Sequence, residues 1–407
     1  MPAPSRPLVG RAAELDELGR LVGLGARTGS PGSAAPTGGS TVLLAGDAGV
    51  GKTRLLDELA HRATAAGWTV VEGHCVDFGD SALPYLAFSE VVGRLAVARP
   101  ADVERLAAAH PSLDRLLPGR RVAPTSSDDP DAVDRGELVN AVHALLEDLA
   151  TTGPLLVVIE DAHWADPSTR DLVGFLFTRG FTGPVSLLVS YRSDDLHRRH
   201  PLRRQASAWA RTPGVHRVTL DPMPDGEIRS LVRTLHPEPL PAAAVETIVR
   251  RAEGNAFFVE ELVGATRAAG PAVDAHSLPD DLADLLLVRL ESLEDAAQQV
   301  VRVAAVAGRQ VSHALLAETA GLPAAELEAA LREAVERHVL VSMGEGYAFR
   351  HALLGEAVYD DLLPGERVRL HAAYARTLEG VDTRGTAAEL ARHARAAQDP
   401  VTAALAS

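Results

Sequence analysis

Gly46-Asp-Ala-Gly-Val-Gly51-Lys52-Thr53 is the stretch that decides how this chain is read. It fits the pattern G-x-x-x-x-G-K-T, follows an apolar run at 41–45, and opens a stretch of helical spacing at 54–65. A strand, a glycine-rich loop and a helix start in that order make a cradle for phosphate. The glycines let the backbone approach closely with its N–H groups turned inward, and the helix N-terminus adds its dipole. In such a cradle Lys52 reaches the β and γ phosphates and the Thr53 hydroxyl becomes a ligand of Mg²⁺. Lys52 is the one lysine of the chain, every other basic residue being arginine. A slim ammonium enters such a loop, and a guanidinium fork is no equivalent there.

Working outward, three more apolar runs at 69–72, 155–159 and 185–190 alternate with helical segments. Runs such as Leu155-Leu-Val-Val-Ile are continuous rather than alternating, as strands buried on both faces require, which predicts a parallel sheet covered by helices. The 155–159 run ends in Glu160-Asp161. A buried strand can deliver one carboxylate to the metal and the other to the attacking water. The 185–190 run leads through Ser190 and Tyr191 to Arg192, and strand ends of this kind line the ligand crevice of an open α/β sheet. Ser190 or Arg192 sensing a γ-phosphate is one reading, a solvated arginine the other. His163 and Trp164 read either as packing under the loop or as nucleotide sensors. Asp166-Pro167 reads as a helix cap followed by a first-turn proline. Arg198, Arg199, Arg203 and Arg204 form a basic cluster, read as a solvated helix face or as an arginine finger for a neighbouring subunit.

Composition bounds the rest. The 407 residues suit two or three domains, and with aromatics at 4% the core falls to Leu, Val and Ala. The formal net charge of −15 disfavours direct nucleic-acid binding by these residues. No run approaches the ~20 apolar residues of a membrane span, and residues 1–6 lack a signal-peptide core, so a cytoplasmic chain with no membrane partner is expected. The lone Cys75 has no disulfide partner and reads as a small buried residue. Residues 25–40, dominated by Gly, Ser, Pro, Ala and Thr, read as a flexible loop. After residue 220 helical spacing prevails, at 243–252, 282–293, 296–307 and 324–338. Two strand-like pieces around a Gly-Glu-Gly turn at 340–350 suggest a β-wing, and Ala-rich helix resumes from 370.

Leu8-Val-Gly-Arg11, the 46–53 loop, Val158-Ile-Glu-Asp-Ala-His-Trp-Ala-Asp166 and Ser190-Tyr-Arg-Ser-Asp194 together resemble the STAND-type, AAA-like ATPase module of large LuxR-family transcriptional regulators of actinobacteria. Similar modules accompany soluble adenylyl cyclases and signalling kinases. The resemblance implies an α/β P-loop NTPase core at 1–225, a helical lid at 226–275, a winged-helix-like domain at 276–362 and the start of a helical repeat region at 363–407. It implies ATP/ADP and Mg²⁺ as ligands, with Gly46, Asp47, Ala48, Gly49, Val50, Gly51, Lys52, Thr53 and Arg54 around the phosphates. Val9, Gly10 and Arg11 would lie beside the adenine. Gly254-Asn-Ala-Phe-Phe258 would open the lid, although relatives usually carry proline where Ala256 stands. His351 would reach the β-phosphate of ADP. Many relatives have two aspartates at the strand end, whereas here the first is Glu160, which leaves open whether Glu160 or Asp161 holds the metal. The implied function is a slowly hydrolysing ATP switch that self-associates in its ATP state, answers an unknown inducer or protein partner, and reaches DNA only through a C-terminal helix-turn-helix outside this chain. A nucleotide-binding scaffold or inducer-binding regulator without meaningful hydrolysis is the alternative.

Overall fold

The computed structural model describes residues 8–24, 39–76, 84–117, 130–197, 200–236, 238–269, 280–308, 310–379, 387–398 and 402. Most of the 25–40 loop, and Arg198 and Arg199, therefore lie outside the described residues. The chain forms two compact units, Met1–Pro222 and Met223–Ser407.

The first unit is built on five parallel strands, β1 Ser40–Gly46, β2 Thr69–His74, β3 Leu155–Glu160, β4 Val185–Arg192 and β5 Val215–Leu220, in the order β2-β3-β4-β1-β5. Alternate residues of each strand serve opposite faces. Leu43, Ala45, Val157 and Ile159 enter one apolar cluster with Phe88, Leu145 and Phe177, while Val42, Leu44, Leu156 and Val158 enter the other with Leu15, Leu55 and Leu59. The covering helices are α1 Ala12–Val22 and α2 Lys52–Ala65 on the second face. On the first face lie α3 Leu86–Ala98, α4 Pro100–Ala109, α5 Pro130–Ala150, α6 Pro167–Arg179 and α7 Pro201–Trp209. Each fully buried Leu or Val of these clusters contributes about 1.5–3 kcal/mol, so sequestering both faces is what holds the sheet. Four of the strands extend the runs expected from sequence, and the fifth, β5, was not among them. Its burial is broken by the exposed His216 and Arg217, because it is an edge strand, pairs only with β1 and has one face open to water.

The second unit is mainly helical: α8 Asp225–Leu235, α9 Ala242–Ala252, α10 Ala256–Ala269, α11 Asp280–Glu291, α12 Asp295–Ala307, α13 His313–Ala320, α14 Ala324–Glu336, α15 Ala352–Asp361, α16 Pro364–Glu379 and α17 Ala387–Ala396. Within it β6 Gln310–Ser312, β7 Leu340–Met343 and β8 Gly346–Phe349 form an antiparallel sheet in the order β6-β8-β7. Sequence reading finds β7 and β8 but not β6, whose three residues are too few for an alternating pattern to register. Asn255 caps α10, its Oδ1 accepting from the N–H of Phe257 at 3.1 Å and of Phe258 at 3.4 Å. Ala256 fills the first position of α10, a position that also suits proline.

Candidate functional site

The loop after β1 owes its shape to its glycines. Gly51 caps α2 at φ 103°, a left-handed conformation that costs a side chain dearly. At Gly46 an added Cβ would stand 3.0 Å from Val50 Cγ1 and 3.1 Å from the Leu220 carbonyl oxygen. Lys52 is buried and folds back over the loop, its Nζ donating to the carbonyls of Gly46 and Asp47 at 2.9 Å each. Burial pushes its ammonium pKa down, and the nearby Asp194 carboxylate pulls it back up.

The order of the strands assembles the rest. Because β4 stands between β1 and β3, the ends of all three open onto one rim, with the β4 terminus flanked by the loop and by the acids. Thr53 Oγ1 donates to Glu160 Oε2 at 3.0 Å, joining the first turn of α2 to the tip of β3 across 107 residues. Glu160 is buried, and desolvation raises its pKa although the Thr53 bond works against that. A hydroxyl and a carboxylate at hydrogen-bond distance form a hard-oxygen set that fits Mg²⁺. Asp161 takes a left-handed φ of 55° just past the strand, and its N–H donates to Ser190 Oγ at 3.2 Å. Its Oδ1 lies 3.8 Å from Arg192 Nε, and the Arg192 guanidinium rests over the Trp164 ring at 4.9 Å. Ser190 thus braces the acid turn from a buried position. His163 packs beneath: burial first, then the adjacent Arg192 charge, hold its pKa down to about 3, and Trp164 tilts against it at 4.7 Å. The packing reading of His163 fits this geometry. Asp166 caps α6 through the N–H groups of Ser168 and Thr169, with Pro167 in the first turn. Arg203 and Arg204 are exposed on α7.

Arg11 does something the sequence did not disclose. Its guanidinium is buried, donating from Nη2 to the Val50 carbonyl at 3.2 Å and the Asp221 carbonyl at 2.6 Å, while Nη1 pairs with Glu14 at 2.7 Å. It braces the phosphate loop against the end of β5; Gly10 and Val9 precede it, and Arg54 stands in the first turn of α2. His351 belongs to the second unit, where it precedes α15 and meets Phe258 edge-on at 5.7 Å.

Two further groups at the site went unread. Asp194, buried just beyond β4, accepts from the Ala48 N–H at 3.0 Å, so a carboxylate of the chain ties the glycine-rich loop to the end of that strand. His74 is the register partner of Glu160, its Nε2 3.9 Å from Glu160 Oε1 and its Nδ1 3.0 Å from Glu90 Oε2. Asp194 closes the Ser190–Asp194 motif but was given no role there, and no local motif marks His74; the partners of both become visible only once sheet order is known. Cys75 is buried and burial pushes its thiol to about 12, in keeping with an inert packing role.

A parallel sheet in this order, with a glycine-rich loop after β1 and paired acids after β3, has the P-loop NTPase fold. Residues 7–189 match the family described as AAA ATPase domain. An uncharacterized protein of Rhizobium meliloti (strain 1021) is 30% identical over 399 residues, covering 90% of this chain; the chain spans about a third of that relative, 36% of its length. Among solved structures, a Walker-type ATPase of Pyrococcus abyssi aligns with a TM-score of 0.54 at 13% identity over 88% of this chain and 99% of its own, a likeness of fold. A STAND protein with a tetratricopeptide repeat sensor from Pyrococcus horikoshii aligns at a TM-score of 0.37 and 14% identity over 97% of this chain and 50% of its own. No helix among the described residues is long and apolar enough to cross a membrane.

Proposed function

We propose that this chain binds ATP and ADP with Mg²⁺, hydrolyses ATP slowly, and works as a STAND-type switch within a transcriptional regulator. The observation that carries the reading is the 3.0 Å bond from Thr53 Oγ1 to Glu160 Oε2, made beside Lys52. Bound Mg²⁺ would supply charge neutralisation between the β and γ phosphates. The loop N–H groups of residues 48–53 hold the phosphates, and Lys52 swings from its carbonyls to reach them. Thr53 and Glu160 would hold the metal. Asp161, on its half-buried turn, takes the water-orienting role, and Arg192, across from it on the β4 rim, meets the γ-phosphate. Val9, Gly10 and Arg11 border the adenine through their backbone, the Arg11 side chain being engaged elsewhere. Self-association in the ATP state, an inducer, and DNA contact through a domain outside this chain complete the proposal.

A nucleotide-holding scaffold without turnover is the second reading, favoured by a loop whose lysine and Ala48 N–H are already engaged. Purification without added nucleotide, denaturation and chromatography of what is released, with Lys52→Ala in parallel, tests the main reading. ADP in the wild type and none in the variant is expected. An empty wild type that also fails to bind Mg-ATP overturns it, and bound ATP unchanged after hours selects the scaffold.

A further inference from the structure

The second unit contains a cavity of about 620 Å³ between α9, the end of α12, α15, α16 and α17, within the range of small-molecule sites. One wall is apolar, with Ala305, Val306 and Phe349, and Gly308 keeps it open: at its φ of 104° an added Cβ would stand 3.3 Å from Arg392 Nη1.

The polar wall ends in a hydrogen-bond chain whose direction can be derived. Arg392 Nη2 lies 2.9 Å from His393 Nε2, and an arginine only donates, so His393 Nε2 accepts. His393 then carries its proton on Nδ1, which faces His371 Nδ1 at 2.9 Å. His371 must accept there and hold its own proton on Nε2, which donates to the Tyr359 hydroxyl oxygen at 3.0 Å. Both imidazoles are therefore neutral, and burial, the main cause, holds their pKa values at about 4 and about 3, below the ordinary range. With its oxygen taken as acceptor, the Tyr359 O–H proton is left to donate into the cavity that Tyr359 lines.

Charge points the same way. The two acids of the described lining each face an arginine: Glu356 Oε2 is 2.5 Å from Arg251 Nη2, and Asp360 Oδ1 is 3.9 Å from Arg367 Nη2. Arg250 and Arg392 add positive charge to a lining that holds no third acid among the described residues.

We propose that this cavity is a binding site for a small organic anion, a carboxylate or phosphate head met by Tyr359, Arg250 and Arg392 with an apolar body against Val306 and Phe349. The site lies wholly in the second unit and does not rest on the nucleotide reading. The test titrates the full chain with 8-anilinonaphthalene-1-sulfonate, an aromatic anion that fluoresces when bound, and competes it with benzoate or benzamide. Saturable binding at one site is expected, displaced by benzoate and not by neutral benzamide. Arg250→Ala, on an exposed helix position, and Tyr359→Phe should each weaken the dye about tenfold, as loss of a hydrogen bond to a charged group implies. Ala396→Trp, which fills the cavity from α17, should abolish binding. Non-saturating fluorescence, equal competition by benzamide, or dye affinity unchanged in Arg250→Ala and Tyr359→Phe overturns the proposal, whether or not Ala396→Trp folds.

Discussion

Replacing Asp194 by Asn should make the phosphate loop bind nucleotide more tightly. The wild-type carboxylate accepts the Ala48 N–H at 3.0 Å, and on the proposed nucleotide reading an entering phosphate takes that donor from it. A hydrogen bond to a charged acceptor is worth about 1.5–3 kcal/mol and one to a neutral acceptor about 0.5–1.5 kcal/mol, so the amide is the weaker competitor by about 1–1.5 kcal/mol. That difference alone is roughly a tenfold gain in affinity. Removing a negative charge from the phosphate's side of the loop adds to it. The change also withdraws the charge that favours the ammonium of Lys52, but bound phosphate replaces it in that role. Asn matches Asp in shape, so the buried turn after β4 is kept. Calorimetric titration with ADP in the absence of Mg²⁺ isolates the phosphate contact. A dissociation constant about tenfold lower in Asp194→Asn is expected. An unchanged or weaker constant would refute the idea that Asp194 competes with phosphate and would make it a supporting residue of the bound state.

Thr53→Ala should weaken Mg-ATP by about tenfold while leaving Mg-free ADP within twofold, as loss of one metal-side hydroxyl implies; equilibrium binding with and without Mg²⁺ checks it. Asp166→Ala should lower the stability of the first unit by about 1–2 kcal/mol, read in urea melts, because the α6 cap is lost along with a bond from the Tyr85 N–H. Stability should also fall in acid. His371 and His393 are held at about 4 and about 3 when folded, against 6.5 as free side chains. Between those values the unfolded chain binds the extra protons, so stability is full above pH 6.5 and declines as pH drops toward the folded values. The slope is at most about 1.4 kcal/mol per pH unit for each histidine. Urea midpoints measured from pH 7.5 to pH 5, with His393→Gln flattening the profile, give the check; a midpoint flat across that range contradicts it.

The phosphate loop and four of the five strands were legible because the physics behind them is local. An apolar run needs burial on both faces, and a glycine-rich turn before a helix has few uses other than phosphate. The edge strand β5 was hidden because one of its faces meets water, so His216 and Arg217 interrupt the pattern. The candidate site divides similarly. Lys52, Thr53, Glu160 and Asp161 are announced by residue type beside a strand end, whereas Asp194, His74 and Glu90 owe their positions to neighbours distant in sequence. Arg11 shows the limit from the other side: the resemblance implied only a place beside the adenine, and its bonds to Val50 and Asp221 depend on where β5 ends.

The strand that carries the phosphate loop is second to last in the sheet but first in the chain, and that has a consequence for biosynthesis. The partners of β1 are β4 and β5, which begin at Val185 and Val215. At about 5–20 residues per second, a ribosome needs roughly ten to thirty-five seconds to pass from Gly46 to Asp221. Until β4 is made, for most of that interval, the apolar β1 has neither neighbour and is a natural client for a chaperone. Arg11 receives one of its carbonyl partners 210 residues later in the chain, so the loop is braced only when the whole unit has emerged. A nascent chain arrested before residue 221 should therefore carry the complete phosphate motif and still lack a rigid phosphate site.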